Sequence, residues 1–227
     1  MSELHHECGI AGIYYLPGRG RSSLVPEGME SEVSRLIPRM LLDLQNRGQL
    51  SAGMSTFCPD RAQLIDTYKE IGSVIEAFRM NHQGKYESLM NEYAGPAGIG
   101  HVRYATCGRD DRSYAQPMER HHGCKWKWFS FCFNGQLANY NDLAAQLLEK
   151  ESYHLTRRTD TEVILHYLSH ALGEGRPDPV ELFRELTTKF DGAYNLLYLN
   201  AEGEMVALRD PLGIRPLCYA IDGPRVA

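Results

Sequence analysis

This sequence predicts an α+β fold with helices gathered on the faces of antiparallel sheets, on three observations. Strand-like stretches come in neighbouring pairs joined by short turns, at 51–57 with 63–68 and at 193–199 with 205–209. Helical stretches also come in runs, at 73–80 with 86–93 and at 139–150 with 159–172; they do not alternate one by one with strands as a parallel sheet requires. No linker, internal repeat or low-complexity tract divides the 227 residues, and a chain of that length buries roughly 70% of its unfolded surface.

Taken in order, the chain opens on Cys8 and a small, apolar run, 9–15, that reads as a strand. Residues 17–28, rich in Gly, Pro, Arg and Ser, form a loop. Leu36, Met40, Leu41 and Leu44 then give a helix an apolar face, with Pro38 marking a kink or a start and Gly48 a left-handed C-terminal cap. The hairpin 51–57 and 63–68 turns at Pro59-Asp60-Arg61, and two short helices follow. Gly95 to Gly100 lacks the lysine of a phosphate loop and reads as a turn into a strand carrying His101 to Thr106. Residues 107–125 are polar and long enough to be a lid. From Lys125 the residues alternate as a strand that stops at the turn-forming pair Asn134-Gly135. After the helix at 139–150, Thr159 and Glu162 have capping-box spacing, opening a helix to about Leu172. A helix at 179–190 precedes the last hairpin, which turns at Asn200-Ala201-Glu202-Gly203.

A net charge of -5 gives no general attraction to nucleic acid, and the basic and aromatic run Lys125-Trp126-Lys127-Trp128 is better read as part of a strand. No stretch reaches the roughly 20 apolar residues of a membrane span, and the first seven residues lack the basic and apolar parts of a signal peptide. The chain is therefore expected in the cytoplasm, with its six cysteines reduced. No bound metal is expected: His166 and His170 share a helix face without a third ligand, and His121, His122 and Cys124 lie in a polar loop.

Four polar features fall at the ends of elements, where sites are usually built: Cys8, Arg103-Tyr104, Asn134-Gly135 and Asp160. Together they suit amide hydrolysis. A cysteine supplies the nucleophile, an Asn side chain and a Gly N–H hold an oxyanion, and an Arg and an Asp match the two ends of a zwitterionic amino acid. Singly, Arg103 also fits a surface ion pair, Asn134-Gly135 a hairpin turn and Asp160 a helix cap. No histidine stands beside Cys8 in sequence to act as its base.

Five motifs, Cys8-Gly9-Ile10-Ala11-Gly12, Asn46-Arg47-Gly48-Gln49, Gly100-His101-Val102-Arg103-Tyr104-Ala105-Thr106, Asn134-Gly135 and Thr159-Asp160-Thr161-Glu162, make the chain resemble the class II glutamine amidotransferases. The run Arg209-Asp210-Pro211-Leu212-Gly213-Ile214-Arg215-Pro216-Leu217 looks most like the amidophosphoribosyltransferase branch. Asn46 and Gln136 depart from the residues usual in the family.

The resemblance implies an αββα sandwich of the N-terminal nucleophile hydrolase type, spanning 8–227, either whole or truncated at its C-terminal end, with 1–7 a propeptide. It implies that Cys8, once N-terminal, attacks glutamine using its own amine as base, a role suited to an amine titrating near pH 8. Asn134 and Gly135 would stabilise the oxyanion. Arg103, Asp160, Tyr104 and Thr106 would bind glutamine, and Arg47 would order the nucleophile's surroundings. Ammonia would pass to a synthase domain or subunit, for phosphoribosylamine formation in purine synthesis, with Mg2+ needed only in a phosphoribosyl-diphosphate domain outside this chain and a homo-oligomer expected for a full enzyme. The alternatives are the glutaminase part of an asparagine, glucosamine-6-phosphate or glutamate synthase, or an unprocessed glutamine-binding module.

Overall fold

The structure, a computed structural model, describes residues 8–16, 18, 28–29, 32–104, 111–150 and 153–227. The chain runs β1 (Gly9–Tyr15), α1 (Val33–Asp43), β2 (Ser51–Phe57), β3 (Ile65–Ile71), α2 (Val74–Ala77), α3 (Gln83–Glu92), β4 (Ala97–Arg103), β5 (Met118–Arg120) and β6 (Phe129–Leu137). It continues with α4 (Tyr140–Leu148), α5 (Asp160–Gly173), α6 (Pro179–Lys189), β7 (Gly192–Asn200), β8 (Met205–Arg209), β9 (Ile221–Asp222) and β10 (Arg225–Val226). One sheet has the order β3-β2-β4-β1-β10-β9 and the other β5-β6-β7-β8, with antiparallel pairing throughout.

Strand parity builds the layers. On β1, Ala11 and Ile13 pack with α1 to α3, while Ile10 and Tyr14 turn to the other sheet. On β6, Phe129, Phe131 and Phe133 pack under α4 to α6, and Cys132 faces between the sheets with Ala97, Ile99, Leu197 and Leu199. Three apolar layers thus separate helices, sheet, sheet and helices, which is the expected αββα sandwich. Parity also decides where polar residues go. Cys8 shares the inward face of Ile10, Arg103 that of Ile99, and Asn134 that of Cys132, so each arrives between the sheets at a strand end.

Several local expectations change. Helix α1 neither starts nor stops at Pro38: Val33, Ile37 and Leu41 lie at four-residue intervals on one buried face, and that burial outweighs the lost backbone bond. Gly48 follows a 3₁₀ turn, Gln45–Arg47, with extended backbone at φ -170, so it is no left-handed cap; a Cβ there would come 2.5 Å from the Arg103 carbonyl carbon. The segment from Ala97 to Gly100 is already strand, its glycines making room for Ile37 of α1. The polar stretch read as a lid contains β5 at the edge of the second sheet, while Lys125–Lys127 is a 3₁₀ turn ahead of β6. Thr159 accepts from the Glu162 N–H, but the Glu162 carboxylate does not return the bond: it accepts from the N–H groups of Thr156, Arg157 and Arg158, so the capping box is half formed. Met1 to Glu7, Thr106 and most of the 17–28 loop lie outside the described residues.

Candidate active site

The largest correction creates the site. Strand β6 does not end at Asn134-Gly135; it continues to Leu137, pairing Asn134 with Asn195 and Gly135 with Tyr194. The glycine is needed for close approach, since a Cβ would meet the Ala193 oxygen and the Tyr194 Cβ at 2.4 Å. Beyond Met118, where β5 no longer covers the β6 edge, the Gln116 side chain accepts from the Phe133 N–H (2.7 Å) and donates to its carbonyl (3.2 Å). His101 Nε2 approaches the same carbonyl at 3.2 Å from the opposite sheet, so the strand entering Asn134 is held from two sides.

A cleft of about 200 Å³ is lined by Cys8, Arg103, Tyr104, Asn134, Gly135 and Asp160, all six picked out by sequence. Arg47 stands behind it, donating from Nε to the Cys8 carbonyl at 3.1 Å and so fixing the backbone of that residue. The Cys8 thiol lies 3.7 Å from the Tyr104 carbonyl. Burial pushes that thiol up; a backbone hydrogen bond at Tyr104 and the charges of Arg103, Arg215 and Arg47 offset only part of the rise. A buried thiol of this kind stays protonated until a base takes its proton.

Arg103 is itself buried, 7% exposed, with its guanidinium 5.4 Å from the centre of the Tyr114 ring. Asp160 opens α5 and accepts from the Leu137 N–H at 3.2 Å, tying the helix start to the end of β6. Arg103 and Asp160, of opposite charge, therefore border the same cleft. Tyr104, 45% exposed, stands at its rim.

Residues not singled out from sequence also line the cleft: Tyr114, Gln116, Phe133 and Arg215. In the sequence Arg215 stands out only as part of a motif. Its Nη1 donates to Asn134 Oδ1 at 2.9 Å, a link across 81 positions that no local pattern signals. No helix among the described residues is long and apolar enough to cross a membrane. Cys8, Cys58, Cys124, Cys132 and Cys218 are free thiols.

Comparison with known proteins agrees with this fold. The chain is 35% identical over 211 residues to amidophosphoribosyltransferase 1, chloroplastic, of Arabidopsis thaliana, covering 93% of this chain and 32% of that protein. It is 32% identical over 227 residues to the amidophosphoribosyltransferase of Methanothermobacter thermautotrophicus, covering 98% and 41%. The chain thus spans about a third to two fifths of the length of these relatives. A solved glutamine phosphoribosylpyrophosphate amidotransferase from B. subtilis superposes with a TM-score of 0.73 at 25% identity, over 96% of this chain and 40% of its own. The solved structure described as the allosteric regulatory enzyme of purine biosynthesis gives 0.75 at 26%, with the same two shares. Residues 101–227 match the family described as a glutamine amidotransferase domain, more than half of the chain, and it is to this family that the chain belongs.

Proposed function

We propose that the chain hydrolyses glutamine to glutamate and ammonia through a thioester on Cys8, after removal of Met1 to Glu7. The observation that carries this reading is the convergence of Cys8, Arg103, Asn134, Gly135 and Asp160 on one cleft. While Glu7 is attached, the Cys8 nitrogen is an amide and has no basic lone pair. Freed, it takes the thiol proton, sulfur attacks the side-chain amide carbon, and the carbonyl electrons move onto oxygen. The Asn134 side chain and the Gly135 N–H receive that oxyanion. Collapse expels ammonia carrying the proton from the amine, and water then cleaves the thioester to glutamate and restores the thiol.

Specificity comes from the amino-acid end of glutamine. Arg103 receives its carboxylate and Asp160 its ammonium, in a cleft where both charges are partly withdrawn from water. Tyr104 at the rim, with Thr106 after it, closes over the bound amino acid. Arg47 holds the Cys8 backbone in the attacking position.

The relatives' names support an acceptor of the phosphoribosyl-diphosphate type, so that the ammonia is used for phosphoribosylamine formation in purine synthesis by a synthase domain or subunit. The test is direct. Protein whose intact mass shows Cys8 at its N-terminus should release glutamate from glutamine and be labelled at Cys8 by a glutamine-like electrophile, and Cys8→Ala should do neither. Glutamine binding by calorimetry without release, on a chain retaining Glu7, would replace this reading with that of a binding module.

A further inference from the structure

Arg215 lies after β8 in a turn that its own backbone helps to fix. The Asp210 carboxylate accepts from the N–H groups of Ile214 (3.0 Å) and Arg215 (3.2 Å), and Arg209 Nε donates to the Arg215 carbonyl at 2.6 Å. The side chain then reaches the sheet. Nε donates to the Ala193 carbonyl on β7 at 3.2 Å while Nη1 donates to Asn134 Oδ1 on β6 at 2.9 Å, so one planar fork spans two neighbouring strands.

The chemistry of this contact fixes which end of the Asn134 amide faces where. A guanidinium has five donors and no acceptor, so the atom it meets must be the amide oxygen. The terminal torsion of an asparagine is otherwise broad and roughly two-fold, which leaves the flipped amide accessible. Against Arg215 the flip would set donor against donor. The Nδ2 donors are thereby committed to the other branch of the side chain, which lines the same cleft as Cys8.

We infer that Arg215 is a positioning residue for glutamine hydrolysis: it holds the Asn134 side chain with Nδ2 presented to the developing oxyanion. This rests on the glutaminase reading above. The device differs from a simple loop anchor, which the Asp210 bonds already supply.

The inference is tested on the intact protein. Losing an oxyanion donor costs about 10²- to 10³-fold in kcat. Arg215→Ala, which misorients that donor without removing it, should lower kcat about 10- to 100-fold with KM for glutamine nearly unchanged. In an Asn134→Ala background the same change should cost less than about threefold, because there is no longer an amide to position. Losses that multiply would overturn the inference and leave Arg215 a structural residue. Asn134→Asp keeps the acceptor for Arg215 but removes the donors; it should melt like the native protein and lose activity. Wild-type activity in that variant would likewise overturn the inference. Should Arg215→Ala not fold, Arg215→Lys serves, since an ammonium cannot make both bonds in the fork geometry. A substrate-free readout is the side-chain amide resonance pair of Asn134, which should shift or broaden in either variant. Unchanged resonances sink the positioning role whatever the turnover, whereas failure of native protein to release glutamate sinks only the glutaminase reading.

Discussion

At the scale of single residues, two groups titrate or pair in ways that experiments can read. His101 is wholly buried with Nε2 against the Phe133 carbonyl, and burial, helped by the charges of Arg103 and Lys69, drives its pKa down to about 3. A carbonyl only accepts, so Nε2 carries the proton of a neutral ring. The unfolded histidine titrates near 6.5, above the folded value. As pH falls from 6.5 toward 3, the unfolded chain takes up a proton that the folded chain refuses, and stability is lost at up to about 1.4 kcal/mol per pH unit. His101→Gln keeps a donor for Phe133 without the titration. Urea unfolding should show native protein losing stability relative to this variant by a few kcal/mol between pH 7 and pH 4; a constant difference would contradict the buried neutral ring. Asp160→Asn retains an acceptor for the Leu137 N–H but loses the charge offered to a substrate ammonium. Glutamine KM should rise about 10- to 100-fold with a smaller effect on kcat, since a hydrogen bond to a charged group is worth about 1.5 to 3 kcal/mol and each 1.4 kcal/mol is about tenfold. The residues Cys8, Arg103 and Asp160 were legible because chemistry marks their side chains. Arg215 was not, because its importance lies in a partner on another strand.

At the scale of elements, β6 shows where local signals mislead. Asn134-Gly135 is the dipeptide of a tight turn, yet the ladder to β7 continues through it because both neighbouring residues find partners there. A strand continuing past a turn signal is a fact about the partner strand, and its sequence lies some sixty residues away. The glycine's real requirement is space. Gly135→Ala should destabilise the fold by about 1 to 3 kcal/mol, as overpacking does, and move the proposed oxyanion N–H enough to lower kcat about 10²-fold. Gly84 in α3 provides the contrast: a Cβ there meets nothing, so Gly84→Ala should stabilise by up to about 1 kcal/mol and leave turnover unchanged. Denaturant midpoints and glutamate release on the two variants separate the cases, and a similar outcome for both would refute the packing argument. The half-formed capping box has the same lesson. Spacing alone assigns Glu162 to the cap, whereas three N–H groups of the preceding loop claim its carboxylate.

At the scale of the whole molecule, the number and order of the long elements were legible from hydrophobic periodicity, but the strand order within the two sheets was not. Strand order β3-β2-β4-β1 and the two-residue strands β9 and β10 beside β1 depend on pairings between distant segments, and strands that short carry no pattern of their own. The consequence for the proposed function is that the proposed nucleophile and the proposed oxyanion donors belong to different sheets. Cys8 and Arg103 sit on the first, Asn134 and Gly135 on the second, and their separation is set by the apolar seam of Ala97, Ile99, Cys132, Leu197 and Leu199. Leu197 lies directly against β1, within 3.1 Å of where a Cβ on Gly12 would stand. Leu168 and Leu186 are as deeply buried, but between the second sheet and its own helices. Truncating any of the three to Ala removes similar buried volume and should cost about 2 to 5 kcal/mol. Only Leu197→Ala changes the spacing of the sheets at the site. Measured well below the melting temperature, Leu197→Ala should therefore lower kcat for glutamine hydrolysis about tenfold or more, while Leu168→Ala and Leu186→Ala stay within about twofold of native. Equal turnover losses at matched stability would mean that the seam does not set the catalytic geometry, and that the strand ends hold it by their own hydrogen bonds.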